Sequence, residues 1–163
     1  MSTLPLRVLN RALLQRQFLL ARPGHTPLEV IRRLVAMQAQ EPNWPFVGLW
    51  SRIREFEHAG LTTLLEDRRV VRSGLLRSTQ HLTLADDFRR FRPLLQPVLD
   101  RTASATCFSR TSAGLDTGEL VAAGLEFLGD RAMPRRELAR RLAETYGVVT
   151  DGSWPARWKC GPR

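Results

Sequence analysis

The chain holds 163 residues, enough for one ordinary domain or two very small ones, and 43% of them are apolar. No apolar run approaches the roughly 20 residues of a membrane span, and Arg7 and Arg11 interrupt an N-terminus that lacks a leader's cleavage site, so a cytoplasmic globular protein is expected. Twenty-five basic residues against 16 acidic give +9, nearly all of it arginine, a balance that favours polyanions through the phosphate-matching guanidinium fork and is met equally by solvated helix faces.

Leu6, Leu9, Leu13 and Phe18 recur near helical spacing, with Arg7, Arg11, Gln15 and Arg16 on other faces, predicting an amphipathic helix that Pro23-Gly24 ends. Thr26-Pro27-Leu28-Glu29 then supplies an N-cap, a proline at the first helical position and a capping-box glutamate. The stripe of this second helix is Ile31, Leu34 and Val35. Its continuation puts Gln38 on the inward face and an end near Gln40, before Pro42 and Pro45. Phe46, Leu49, Trp50 and Ile53 predict a third helix over 46–56, with Trp50 in the core, and residues 60–67 a short fourth.

From Val70 to Leu84 the pattern changes to rough alternation around Ser73-Gly74, a β-hairpin or two short strands. A helix opens at Asp86 and runs to about Thr102, with Pro93 and Pro97 kinking or breaking it. The small, polar segment from Cys107 to Gly114 reads as a loop. Two further helices follow, over 116–128 from the box Asp116-x-x-Glu119 and over 134–146. The closing VVTDGSWPARWKCGPR has no periodicity and holds Lys159, the single lysine. The expected organisation is therefore an N-terminal domain over 1–106, a linker over 107–115, a second helical unit over 116–146 and an irregular tail over 147–163.

Cys107 and Cys160 stand far apart, and His25, His58 and His81 are scattered, so neither a metal site nor a disulfide framework is predicted, and no cofactor. A mainly α chain whose helices lead into a short hairpin, with a basic balance, has the pattern of a winged helix, a helix-turn-helix with a β-hairpin wing.

Three stretches, LNRALLQRQFLL, LVAMQAQEPNWPFVGLWSRI and LLEDRRVVRSGLLRSTQHLTLADDF, together resemble the winged-helix DNA-binding family that contains the AlkZ-type bacterial DNA glycosylases. The likeness runs from about residue 6 to residue 146. It implies tandem winged helices around a channel for double-stranded DNA, a location at the nucleoid, and removal of bulky alkylated or crosslinked bases. It also implies that the chain is the N-terminal portion of a longer architecture, its ending a truncation or frame shift. The family's catalytic signature, two glutamines flanking one apolar residue at a helix end, is matched by Gln38-Ala39-Gln40. An Arg-x-Thr-x-His run is matched by Arg77, Thr79 and His81, with Gln80 where an apolar residue is usual.

Glutamine suits part of such chemistry. Its amide offers an acceptor and two donors, so it can orient water and bind a sugar or phosphate oxygen, although it is a very weak base. An N7-alkylated purine already carries positive charge and leaves readily, so positioning and modest electrostatics could suffice. From the residues alone, the plainer reading prevails: Gln38 caps an apolar stripe at a domain surface and Gln40 is a polar residue at a helix end. Strand alternation would put Arg77, Thr79 and His81 on one face, meeting a phosphate or simply supporting the wing. Arg52, Arg72 and Arg77 are the phosphate-contact candidates, and Trp44, beside the glutamines, is a stacking candidate. The alternative function is a non-catalytic winged-helix DNA-binding module or a truncated remnant.

Overall fold

The computed structural model describes residues 3–103 and 115–147, which fall into two compact units, Met1–Arg101 and Thr102–Arg163. Residues 107–114 of the expected linker and 148–163 of the expected tail lie outside the described residues.

The first unit begins with α1 (Leu6–Arg16), none of whose residues is buried. Next comes α2 (Pro27–Leu34), started as its sequence dictates: the Thr26 hydroxyl accepts from Glu29 N–H at 3.3 Å while the Glu29 carboxylate accepts from Thr26 N–H at 2.7 Å. Arg22 ties the connection down, its Nε and Nη2 donating to Ile53 O at 3.2 and 2.8 Å.

After Leu34 the expectation fails. Helix α2 does not continue to Gln40. Val35 adopts φ 66° and ψ −54°, a strained geometry for a β-branched residue, and Thr83 Oγ1 donates to its carbonyl at 2.7 Å. The chain leaves this corner as a strand, β1 (Ala36–Gln38), paired antiparallel with β3 (Gln80–Leu84) in the register Ala36 to Thr83, Met37 to Leu82 and Gln38 to His81. Alternation then replaces the helical period, so Met37 and Ala39 are buried and Gln38 is exposed rather than inward.

Between β1 and the hairpin lie α3 (Trp44–Trp50) and α4 (His58–Glu66). Helix α3 starts two residues earlier and stops six residues sooner than its stripe predicts. Leu49 and Ile53 are buried as expected, but Trp50 is not core: it is 57% exposed, with the Arg22 guanidinium 5.0 Å above its ring. Strand β2 (Val70–Gly74) pairs with β3, completing a three-stranded antiparallel sheet in the order β1-β3-β2. The hairpin is as expected, but its turn falls later than Ser73-Gly74. Arg77 and Ser78 both have positive φ, 52° and 57°, and Thr79 N–H donates to Leu76 O at 3.1 Å, the arrangement whose twist suits two-residue hairpin loops. Helix α5 (Ala85–Ala103) then runs unbroken through Pro93 and Pro97.

The core of this unit is Val30 and Ile31 of α2, Met37 and Ala39 at β1, Leu49 and Ile53, Leu61 and Leu64 of α4, Val70, and Leu82. Fully burying each aliphatic side chain contributes about 1.5–3 kcal/mol. The order helix, strand, two helices and hairpin, with this sheet, is compatible with a winged-helix-like domain.

In the second unit, α6 (Thr117–Leu128) is capped by Asp116, whose carboxylate accepts from Glu119 N–H at 2.9 Å. It packs with α7 (Arg135–Tyr146), and Tyr146 donates its hydroxyl to Glu119 O at 3.2 Å, so the end of α7 lies beside the start of α6.

The hydrogen bonds from the Thr26 backbone and then its hydroxyl hold the Glu29 carboxyl below the ordinary carboxylate range. Because that value is depressed on folding, its contribution is present at neutral pH and lost as pH falls through it. Thr26→Ala is expected to lower stability by about 1 kcal/mol. Denaturant unfolding of parent and variant should show this difference at neutral pH and a smaller one in acid.

Candidate functional site

The Gln-Ala-Gln segment is where β1 leaves the sheet. Ala39 N–H donates to Gln80 O at 2.8 Å. In a closed antiparallel pair Gln80 N–H would return a bond to Ala39 O. Here it donates to Gln40 Oε1 at 3.3 Å, while Ala39 O accepts from Arg72 Nε at 2.8 Å. Arg72 Nη2 also donates to Gln40 O at 3.0 Å. One guanidinium thus grips two successive carbonyls of the triplet, and one glutamine amide stands in for the missing strand carbonyl. Ala39, between the glutamines, is fully buried.

Gln38 is placed differently. It lies in a groove of about 450 Å³ whose lining includes Arg16 at the end of α1, Arg33 in α2, Trp44, Gly48 and Arg52. Helix α3 closes on β1 at Gly48, where a Cβ would come within 2.8 Å of Met37 Cε. Trp44 is 51% exposed on this groove, as a stacking residue must be. Among the described residues, the groove's charged lining is three arginines and no carboxylate.

The other expected residues are distributed unevenly. Arg52 borders the groove, but its Nε donates to Gln17 O at 2.9 Å and its Nη1 to Gly48 O at 2.7 Å and Ser51 Oγ at 3.2 Å, with Nη2 3.4 Å from Gln17 Oε1. Burial pulls its guanidinium below the ordinary arginine value, though arginine stays charged in proteins. Its fork joins the C-terminal end of α1 to α3 and leaves little for a ligand. Arg77, Thr79 and His81 do not form one strand face. Arg77 sits exposed in the turn, Thr79 Oγ1 donates to Leu76 O at 3.1 Å, and only His81 belongs to the strand. A β-run cannot include positive-φ residues, which is why the alternation misleads. His81 is 5% exposed, opposite Gln38, and its Nδ1 lies 2.9 Å from Thr79 O, so Nδ1 carries the proton and donates.

The sequence reading did not anticipate β1, the Arg72 clamp, or Arg16 and Arg33. The strand has a signal: Met37, Gln38, Ala39 and Gln40 alternate apolar and polar. The clamp has none, since it joins positions 33 and 32 residues apart.

The family description "DNA glycosylase AlkZ-like" matches residues 31–161. The chain belongs to the AlkZ-like DNA glycosylase family. That span takes in the glutamine triplet, the sheet, the groove residues Arg33 and Trp44, and the two helices of the second unit. Among solved structures, the chain is similar to the Streptomyces sahachiroi DNA glycosylase AlkZ, with a TM-score of 0.65 and 22% identity over 80% of this chain. It spans 35% of the length of that AlkZ. No curated protein matches the sequence.

For this AlkZ-like chain, Arg72→Ala should cost about 1–2 kcal/mol, the range for charge-assisted hydrogen bonds discounted for exposure. Arg72→Lys should recover little, because an ammonium cannot fork onto two carbonyls. Urea unfolding checks both, and faster hydrogen exchange at Ala39 N–H would locate the loss at the triplet.

Proposed function

We propose that the chain is the part of a DNA-repair glycosylase that carries its catalytic glutamines, hydrolysing the N-glycosidic bond of alkylated or crosslinked purines in double-stranded DNA, with Gln38 the group that addresses the reacting sugar. The observation that carries this reading is the position of Gln38: an exposed amide, on a strand whose exit Arg72 holds, in a groove with exposed Trp44 and arginines and, among the described residues, no carboxylate. Family membership supports it independently.

The chemistry asks little of a base. The bond between the sugar C1′ and N9 of an N7-alkylpurine breaks with its electron pair going to N9, which neutralises the departing base. Water adds to the oxocarbenium-like carbon and its proton passes to solvent. Gln38 can hold that water or the sugar by accepting and donating at once. Gln40 is more constrained. With Oε1 accepting from Gln80 N–H, its NH2 is the end available to a ligand. Around this site the reading places a winged helix over 1–106, with Arg77 and Thr79 at the wing tip near phosphate and His81, paired across the sheet with Gln38, as a support. Residues 116–146 begin a second winged helix.

One observation favours a second reading, a non-catalytic DNA-binding module: Gln40 helps to end the sheet, a role that preserves the triplet without chemistry. Base release from duplex DNA carrying an N7-alkylpurine separates the two. Gln38→Ala is expected to lower release by about 100-fold, as loss of one positioned hydrogen-bonding group does, with stability unchanged. Gln40→Ala should lower both. No release by the parent, while salt-sensitive duplex binding persists, would leave the second reading.

A further inference from the structure

The arginines around the glutamine triplet divide into two kinds. Arg52 directs Nε and both terminal nitrogens to Gln17, Gly48 and Ser51, and Arg72 forks onto Ala39 O and Gln40 O. Arg16 and Arg33 are exposed, line the groove that holds Gln38, and make no hydrogen bond or ion pair among the described residues. Among the described residues, no carboxylate lines that groove to neutralise them.

We infer that Arg16 and Arg33 are the phosphate ligands of this groove, seating the sugar-phosphate backbone of a DNA strand so that the sugar between successive phosphates faces Gln38. Arg52 and Arg72, arginines that the sequence offers equally for that role, build the site instead. The inference rests on the reading of Gln38 given above. A free guanidinium can meet a phosphate bidentately. Two of them beside an exposed indole make a surface that takes phosphate and base of one strand. Their positions also admit a purely structural role, since each lies in the last turn of a helix, where a cation stabilises the macrodipole. The two roles differ in what salt does.

The experiment measures duplex binding of the full chain across a salt series, with base release from an N7-alkylpurine duplex measured in parallel. Compared are the parent, Arg16→Ala/Arg33→Ala, Arg16→Lys/Arg33→Lys, and Arg89→Ala/Arg140→Ala as a charge-matched control. Arg89 and Arg140 lie outside the groove and already pair with Asp86 and Glu144. Loss of two phosphate contacts should make the dependence of log K on log salt shallower by about 2, near 0.9 for each. The lysine variant should keep the parental slope, and so should the control. Should the alanine variant unfold, Arg16→Gln/Arg33→Gln replaces it.

An unchanged slope in a folded variant, with the parent still releasing base, overturns the inference and leaves the function proposed for Gln38 standing. A shallower slope with no release by the parent supports the phosphate pair and removes the catalytic reading. Absence of salt-sensitive binding by the parent overturns both. A shift in melting temperature with no change in slope assigns the two arginines to the helix ends alone.

Discussion

The arrangement of this molecule turns on how β1 stops. Just past its three paired residues the strand leaves the carbonyl of Ala39 and the facing N–H of Gln80 to be satisfied, and an orphaned backbone group costs roughly as much as a lost hydrogen bond. Arg72 supplies one partner and Gln40 the other. The result is a triplet whose alanine is anchored in the core, whose second glutamine is tied to the sheet through Oε1, and whose first glutamine makes no side-chain hydrogen bond among the described residues. Asymmetry between two chemically identical residues arises from the backbone's own hydrogen-bond accounting.

The same constraint explains how the arginines are used. Planar, always charged and able to fork, a guanidinium can close a strand end or bridge two helices as readily as it can bind phosphate. Arg22, Arg52 and Arg72 all donate to backbone carbonyls far away in sequence. They hold together a domain whose core is small, where Gly48 permits close approach of α3 to Met37 of β1. Net charge therefore overstates the cationic surface facing a partner, and the part of it that matters is set by which guanidiniums the fold leaves unoccupied.

Much of this was legible in the sequence where local chemistry decides structure. Thr26-Pro27-Leu28-Glu29 fixes the start of α2, Asp116 the start of α6, and the alternation after Val70 announces the hairpin. Order and spacing of the quoted stretches pointed to the family to which the chain belongs. What sequence could not supply was decided at long range. Ile31, Leu34 and Val35 carry a helical period up to the residue where pairing with β3 takes over, so that period points Gln38 to the inward face while the strand exposes it. Arg77 and Thr79 alternate with His81 in a segment where a tight turn, at positive φ, sets the direction of each side chain. Trp50 fits the stripe of α3 but lies beyond the core's edge, covered on one side by Arg22. The reach of Arg72 across to the glutamines has no sequence signature.

The central claim is that the exposed amide of Gln38, held on a strand clamped by Arg72, is where DNA meets this chain. It is tested most directly by following side-chain amide and arginine Nε–H resonances in solution while a duplex carrying an N7-alkylpurine is added. The account predicts that the Gln38 amide and the Nε–H groups of Arg16 and Arg33 shift together and saturably. The Nε–H of Arg72, already bonded to Ala39 O, should stay protected and nearly unmoved. Saturable shifts confined to other surfaces, with Gln38 unaffected, would contradict it.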